Sequence, residues 1–600
     1  MTMNWTLPLK ILYSILISCF FVVPALIGYA LKVEVTRKTF WVLGVYGMIV
    51  FLFIFLQLFF ATLNRFFVCY YKKHLPKAVS LRTHIRSTQL LVESKQDKVI
   101  EIESVFDRED ISSSTSSQVE QDISLETNTR LATKLGLAVV GYREEPRLFT
   151  QCLQSVKSLN YPDPFKIVVV IDGDEEEDKE MAASFQTVFP DCPVLSLPQL
   201  PSLVFQKMKQ DQDPEKPGPL DYDQIIRDTY TLPTDTVAVC YLQPHRGKRH
   251  AMYTAFRVLM AAGCEAVVST DSDTKFDPNA MLEMESALYW FPNIGAAAGD
   301  VRIWNSKDSL LSFMSSLRYW MAFNIERAAQ SFNRCVTCVS GPMGIYRSHV
   351  LKQVLDDWIA QTFLGMECTY GDDRHLTNRA LLCGYRVVYT HLAYCETETP
   401  SNFLRWFKQQ TRWSKSFYRE LFWNARSLHK HSPWMAAELF YQGLYPFVLL
   451  FSIFNILFSK SPFVLIIWLM SLAAISCIKS LYALIVARSF RFIIFPLYSL
   501  YYIFGLVPAK LWAIISLWDV GWGTSARSAA EMKRENVFWL KLKEALPVLI
   551  WLLLLFGGVA FNIVVFVLLP DKPSILDFFG IGSTMSNPTS IIFFPNPKSV

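Results

Sequence analysis

Long apolar runs on both sides of a polar middle region constrain this chain more than anything else in its sequence. A membrane-spanning helix needs about 20 consecutive apolar residues. Ile11 to Leu31 is free of charge and bounded by Lys10 and Lys32, and Thr39 to Asn64 is a second such run, ended by Arg65. After the middle region come Leu439 to Ser459, then Ser461 to Ile478 with an extension past Lys479 to Ala487, and finally Ala545 to Pro570. Phe492 to Ala509 is ambiguous, being short and flanked by Arg488, Arg491 and Lys510. The first run is too long for a signal peptide and another span follows almost at once, so it reads as a retained helix. These runs predict an integral membrane protein set in a lipid bilayer.

Basic residues orient the spans. Arg65, Lys72, Lys73, Lys77 and Arg82 follow the second run, and the positive-inside rule turns that end, with the middle region, to the cytosol. Lys32, Arg37 and Lys38 vote the other way. The amino terminus is then cytosolic too. Hydrophobic residues make up 52% of the 600 and charged residues 18%, which is unusual for a soluble enzyme, and the length exceeds one ordinary core. A net charge of +5 is small for this length and points to no nucleic-acid partner. The twelve cysteines show no dense disulfide spacing, and Cys335 and Cys338, the one close pair, are expected to be reduced, buried thiols.

Residues 1–64 hold the first two spans. Residues 65–130 are a basic juxtamembrane segment followed, from residue 83, by a polar linker containing Ser112 to Ser117. From residue 131 the texture changes. Leu135 to Val140, Ile167 to Ile171 and Ala266 to Thr270 are short runs rich in β-branched residues, separated by periodic segments such as Leu148 to Leu159 and Lys248 to Ala262. Buried strands alternating with helices predict an α/β domain with a mainly parallel sheet over residues 131–400. Amphipathic interfacial helices are expected over 401–435, two spans over 436–487, an interfacial or re-entrant element with a loop over 488–544, the last span over 545–570, and a polar tail over 571–600.

In open parallel sheets, ligands bind beyond the carboxyl ends of the strands. Polar clusters follow all three runs: Gly141 to Pro146, Asp172-Gly173-Asp174 and Asp271-Ser272-Asp273. Two carboxylates one residue apart in a strand-end turn can face a hard divalent cation such as Mg²⁺ or Mn²⁺, leaving room for phosphate oxygens. That suits a nucleotide-sugar donor, whose diphosphate leaves as the glycosidic bond is exchanged. Further along, Arg405, Gln409, Arg412 and Arg419 share one face of a helix spanning Asn402 to Trp423, beside a face rich in rings.

Longer motifs then become specific: Phe313 to Asn324, Ser340 to Arg347, Gly371 to Arg379 and Gln409 to Ser416. On these the chain resembles the family 2 glycosyltransferases, and within them the hyaluronan synthases of animals, from about residue 135 to about 565. The resemblance implies a GT-A-type domain inserted between transmembrane helices. It implies that Tyr142, Glu144 and Asp172 hold the uracil and ribose, that Lys248 reaches the donor phosphates, and that Asp271 contacts the nucleotide while Asp273, with Asp271, ligates the metal. Gly341 belongs to the substrate-contacting Ser340 to Arg347 motif. A sugar hydroxyl needs a base; Asp373 is assigned that role, with Asp372 second. Gln409, Arg412 and Trp413 are implied at the catalytic centre, Arg412 binding the diphosphate and Trp413 stacking under the acceptor sugar. Cys368 lies in a loop that helps place the acceptor. Trp522, Thr524 and Arg527 match a gating loop over the nucleotide, although Ala526 stands where the family has Gly.

That loop must be cytosolic to reach UDP, so residues 492–517 are expected not to cross, which gives five crossings where animal relatives have six. The function implied is processive, inverting transfer of GlcNAc and GlcA from UDP-GlcNAc and UDP-GlcA onto a growing hyaluronan chain, at the plasma membrane, with Mg²⁺ or Mn²⁺. Oligomeric state is left open. A chitin synthase using UDP-GlcNAc alone shares most of these motifs, and a non-catalytic membrane scaffold or transporter would be expected to have lost them.

Overall fold

The three β-branched runs become adjacent strands in the middle of one sheet. The computed structural model describes residues 49–74, 134–161, 163, 165–211, 221–233, 236–457, 462–519 and 538–568. The expected first span, the linker 83–130, the loop bearing Trp522, Thr524 and Arg527, and the tail 571–600 lie outside the described residues. The strands are β1 (Leu135–Gly141), β2 (Lys166–Ile171), β3 (Val194–Ser196), β4 (Ala238–Leu242), β5 (Ala266–Asp271), β6 (Lys275–Phe276), β7 (Ile294–Ile303), β8 (Gly344–Arg347), β9 (Thr362–Phe363), β10 (Met366–Glu367) and β11 (Arg386–Thr397). Nine of them form a sheet in the order β3-β4-β2-β1-β5-β8-β7-β11-β6, and β9 pairs with β10 separately. Pairing is parallel from β3 through β5 and between β7 and β11; β8 runs antiparallel to both its neighbours, and β6 antiparallel to β11.

Register decides where the chemistry collects. Val140 lies opposite Asp271, and Gly141 opposite Ile171, so the three strand-end clusters emerge side by side at one edge. The strands are buried almost throughout, as their continuous apolar runs require.

Helices carry the remaining site residues. α1 (Ile49–His74) overlaps the second expected span, 39–64, and continues as helix through the basic residues expected to follow it, as far as His74. α2 (Pro146–Lys157) and α3 (Lys248–Ala261) flank the sheet. α4 (residues 310–332) starts at a Ser309 capping box, and its regular turns are interrupted by a π-helical stretch, Ala322–Arg327. α5 (Ser348–Ile359) precedes α6 (Asp372–Leu382), and α7 (Phe403–Ala425) is capped by Asn402. Then come α8 (Pro433–Leu457), α9 (Pro462–Ala487), α10 (Phe490–Ile515) and α11 (Phe538–Leu568).

By length and composition α1, α8, α10 and residues 541–565 of α11 can each cross a membrane. α10, expected as interfacial or re-entrant, is a broken helix: a 3₁₀ stretch with Pro496 inside, a π turn at Tyr502–Leu506, then a regular segment from Val507. Its irregular backbone is held by protein. Trp551 Nε1 donates to the Ile503 carbonyl at 2.9 Å, and Gly505 leaves room for the Trp406 ring. α1 docks on the rest through rings, Phe53 stacking on Tyr441 at 4.1 Å and Phe60 on Phe332 at 5.3 Å. Arg65, in the carboxy-terminal part of α1, bonds Asn324, whose amide donates to Asp300 Oδ1 at 3.1 Å, tying that helix to β7.

One buried cluster joins α6 to α7. His375 Nδ1 donates to Glu420 Oε2 at 2.8 Å, Asn378 Nδ2 donates to the same oxygen at 3.1 Å, and Gln361 Nε2 donates to Oε1 at 2.6 Å. Arg379 Nε donates to His375 Nε2 at 3.2 Å, which fixes a neutral imidazole with its proton on Nδ1. Burial favours that neutral form and lowers the His375 pKa. Burial opposes charge on Glu420 as well, yet the His375 and Arg419 contacts outweigh it and hold the carboxyl at about 2. The depressed pKa means the pair contributes stability above the ordinary carboxylate range and loses it as pH falls towards about 2. Glu420→Leu is expected to lower the unfolding temperature of detergent-solubilised protein clearly, at a cost of about 3–5 kcal/mol. An unchanged melting curve would contradict the role given to this cluster.

Candidate active site

A single cavity of about 610 Å³ begins at the strand ends and continues between the apolar helices. At the sheet end its wall includes Tyr142, Glu144, Asp172, Lys248, Asp271, Asp273 and Gly341. Lys248 opens α3 directly after Gly247, whose φ of +107° only glycine adopts cheaply. Its Nζ pairs with the Asp271 carboxylate at the end of β5. Burial works against the ammonium charge, but Asp271 overcomes it and raises the pKa. A Cβ at Gly341 would sit 3.0 Å from Lys248 Nζ and 3.2 Å from both Asp271 oxygens, so the missing side chain lets the backbone close on this pair. Asp273 accepts from Thr397 Oγ1 at 3.3 Å, and Glu144 accepts from Ser272 Oγ at 3.3 Å.

Asp172 does something the sequence did not reveal. Its carboxylate accepts from Gln243 Nε2 at 3.0 Å and from the backbone N–H groups of Arg246 at 3.2 Å and Gly247 at 2.7 Å, with His245 Nδ1 at 2.8 Å. It therefore organises the loop that presents Lys248. His245, its pKa raised by the bond to Asp172, stacks on Tyr142 with centroids 4.1 Å apart.

The two adjacent aspartates of α6 have separate surroundings. Asp372 is buried and engaged by Arg249 Nε at 2.7 Å, while its carbonyl accepts from Trp358 Nε1 at 2.9 Å. Asp372 and Asp373 both belong to the cavity wall, and Asp373 accepts from the Cys338 thiol at 3.4 Å and from the Arg374 backbone N–H at 2.8 Å. Burial and then Asp373 push the Cys338 thiol up to about 11, so it is a neutral donor beside that carboxylate. Gly371, at φ +81°, starts α6 with no side chain because Ser416 and Arg419 of α7 lie where a Cβ would go.

From α7, Gln409, Arg412 and Trp413 all reach the cavity wall. Gln409 Oε1 is buried without a hydrogen-bond partner in the structure. Trp413 is 39% exposed and meets the Tyr319 ring edge-on at 6.1 Å. Cys368 is not brought to the cavity: it is 4% exposed, its pKa raised by burial, with its backbone N–H bonded to the Gln361 carbonyl at 3.2 Å. Cys335 and Cys338 are free and buried, as expected.

Beyond Trp413 the cavity wall changes character. Arg318, Glu326, Ser476, Lys479, Ser499 and Lys510 line it between α4, α9 and α10. Arg318 Nη1 pairs with Glu326 Oε1 at 2.9 Å, and among the described residues Lys479 and Lys510 have no ion-pair partner. These cations went unassigned in the sequence, although a charge inside an apolar run is itself a signal of function. Tyr319 and Arg327 were also missed; they lie in and just beyond the quoted Phe313 to Asn324 motif.

The family described as Glycosyltransferase like family 2 matches residues 225–416. Hyaluronan synthase 2 of Homo sapiens is 39% identical over 444 residues, covering 73% of this chain and 77% of that one. Hyaluronan synthase 1 of Xenopus laevis is 40% identical over 434 residues, covering 72% of each. The corresponding protein of Xenopus tropicalis is 41% identical over 433 residues with the same coverage. With such identity running through most of both chains, and with the family's strand-end and helix motifs gathered on one cavity, this chain belongs to the hyaluronan synthases.

Proposed function

We propose that the chain polymerises GlcNAc and GlcA alternately from their UDP-sugars, inverting the anomeric centre at each transfer, and passes the hyaluronan outward between its own membrane helices. The observation behind this reading is the single cavity that joins the strand-end carboxylates to Lys479 and Lys510, which have no ion-pair partner among the described residues. Cations inside an apolar helix bundle are costly. A polyanion with a carboxylate on every second sugar repays that cost, whereas neutral chitin offers them no partner. A chitin synthase is therefore not favoured.

Tyr142, Glu144 and the loop organised by Asp172 receive the nucleoside. Lys248 and Arg412 face the diphosphate, Arg412 with a guanidinium that has no ion pair among the described residues. Asp373 takes the acceptor proton as the hydroxyl oxygen bonds the anomeric carbon, and the bond to UDP breaks with its electron pair leaving on the diphosphate. Trp413 supports the acceptor ring. Among the described residues no group of three or more acidic, His or Cys side chains is arranged to hold a metal. Mg²⁺ and Mn²⁺ sites at phosphates typically need only one or two carboxylates, and Asp271 and Asp273 supply two hard oxygen donors. Mg²⁺ or Mn²⁺ bound there supplies positive charge against the departing diphosphate. The catalytic domain faces the cytosol, where UDP-sugars are made, and the plasma membrane is the site of export.

Membranes containing the protein are expected to make hyaluronidase-sensitive polymer only when both UDP-sugars are present; polymer from UDP-GlcNAc alone would overturn the substrate assignment. Asp373→Asn is expected to cut polymerisation by about 100-fold or more while UDP still binds. Asp372→Asn should instead reduce the amount of folded protein, because it leaves Arg249 buried without its charge partner. Equal polymer output from Asp373→Asn and the unaltered protein would refute the base assignment.

A further inference from the structure

Among the described residues, three arginines on the cavity wall near Asp373 lack a carboxylate within ion-pair distance: Arg327, Arg374 and Arg412. Arg412 faces the diphosphate, and Arg374 lies over the Phe417 ring at 5.5 Å. Arg327 has no such employment. It is half-buried at the end of the π-helical stretch of α4, its guanidinium over the Phe323 ring at 4.2 Å, with Nη1 donating to Ser340 Oγ. One such bond leaves most of its five donors unused.

Within the π-helical stretch, two neighbouring residues serve different ends of the cavity. Glu326 reaches back two turns to Arg318 on the membrane side, while Arg327 turns to the segment that carries the catalytic groups. Irregular turns of this kind concentrate at functional sites. Ser340 is two residues beyond Cys338, whose thiol bonds Asp373. The Cα atoms of the two residues that anchor Arg327 and Asp373 are therefore at most about 7 Å apart, comparable to the length of one sugar unit. Next in sequence, Gly341 closes on the Lys248–Asp271 pair, so the donor side lies beyond Ser340.

We infer that Arg327 holds the carboxylate of a glucuronate at the end of the acceptor chain while Asp373 takes the proton from that sugar's hydroxyl. A guanidinium fork fits a carboxylate, and half-burial of Arg327 strengthens the contact. Arg327 is thus the residue that distinguishes the acidic sugar from the neutral one at the point of transfer. This rests on the hyaluronan reading.

Nascent chains held in membranes provide the test. Chains stalled by withholding UDP-GlcNAc end in glucuronate, and chains stalled by withholding UDP-GlcA end in GlcNAc. The rate of one labelled addition to each, taken as a ratio on the same preparation, is independent of how much enzyme is folded. Arg327→Gln is expected to slow addition to glucuronate-ended chains by about tenfold relative to GlcNAc-ended ones. Should that variant fail to accumulate, Arg327→Lys carries the same test with a smaller shift, because it keeps the charge but loses the fork. A ratio equal to that of the unaltered protein, or slowing confined to GlcNAc-ended chains, overturns the inference. Failure of the unaltered protein to incorporate GlcA would instead overturn the substrate assignment, so the two failures are distinct.

Discussion

The arrangement of the active site depends on the buried carboxylate of Glu420. Its bonds to His375 and Asn378 on α6, and to Gln361 before it, lock the helix that begins at Asp373's turn against the helix that carries Gln409, Arg412 and Trp413. An ionised group in such a place is tolerated only because every direction around it offers a donor, with Arg419 adding charge at 3.5 Å. The consequence is mechanical. Asp373 on one helix and Arg412 on the next are thereby held at a fixed separation, and positioning of this kind supplies a large part of a transfer reaction's acceleration. Gly371 belongs to the same device, since its missing side chain allows the two helices to approach.

The second organising feature is a change of charge along the cavity. Carboxylates dominate where a cation and a diphosphate would bind, and Lys479 and Lys510, beside the Arg318–Glu326 pair, leave a positive balance between the apolar helices. A polyanion built at the first region meets compensating charge as it enters the second. The two ends are also joined structurally. α4 lines the cavity from Arg318 to Gln330, and the Arg65–Asn324–Asp300 chain of contacts fastens it to both a membrane helix and the sheet.

Much of this was legible in the sequence because parallel strands bring their carboxyl ends together whatever the loops contain. Three apolar runs, each followed by polar residues, announced β1, β2 and β5 and the clusters beyond them. What stayed hidden depended on partners far away in the chain. Asp372 and Asp373 look alike at the start of a helix and both reach the cavity wall; Arg249, 123 residues distant, engages the first and not the second. Asp172 carries a strand-end signal, yet four donors from the 243–247 loop consume its carboxylate. Cys368 lies beside the key motif in sequence but turns into the protein. Lys479 and Lys510 were visible as charges bordering or interrupting apolar runs, whereas the direction they face depends on how α9 and α10 pack, and the break in α10 follows no simple periodicity.

The central claim is that one chain both makes the polymer and conducts it across the bilayer. The most direct measurement uses purified protein reconstituted alone in sealed vesicles, with both UDP-sugars supplied only outside. Labelled hyaluronan is expected inside the vesicles, protected from added hyaluronidase until detergent is introduced. Polymer that remains fully digestible on the outside, or none at all from protein that binds UDP, would contradict it.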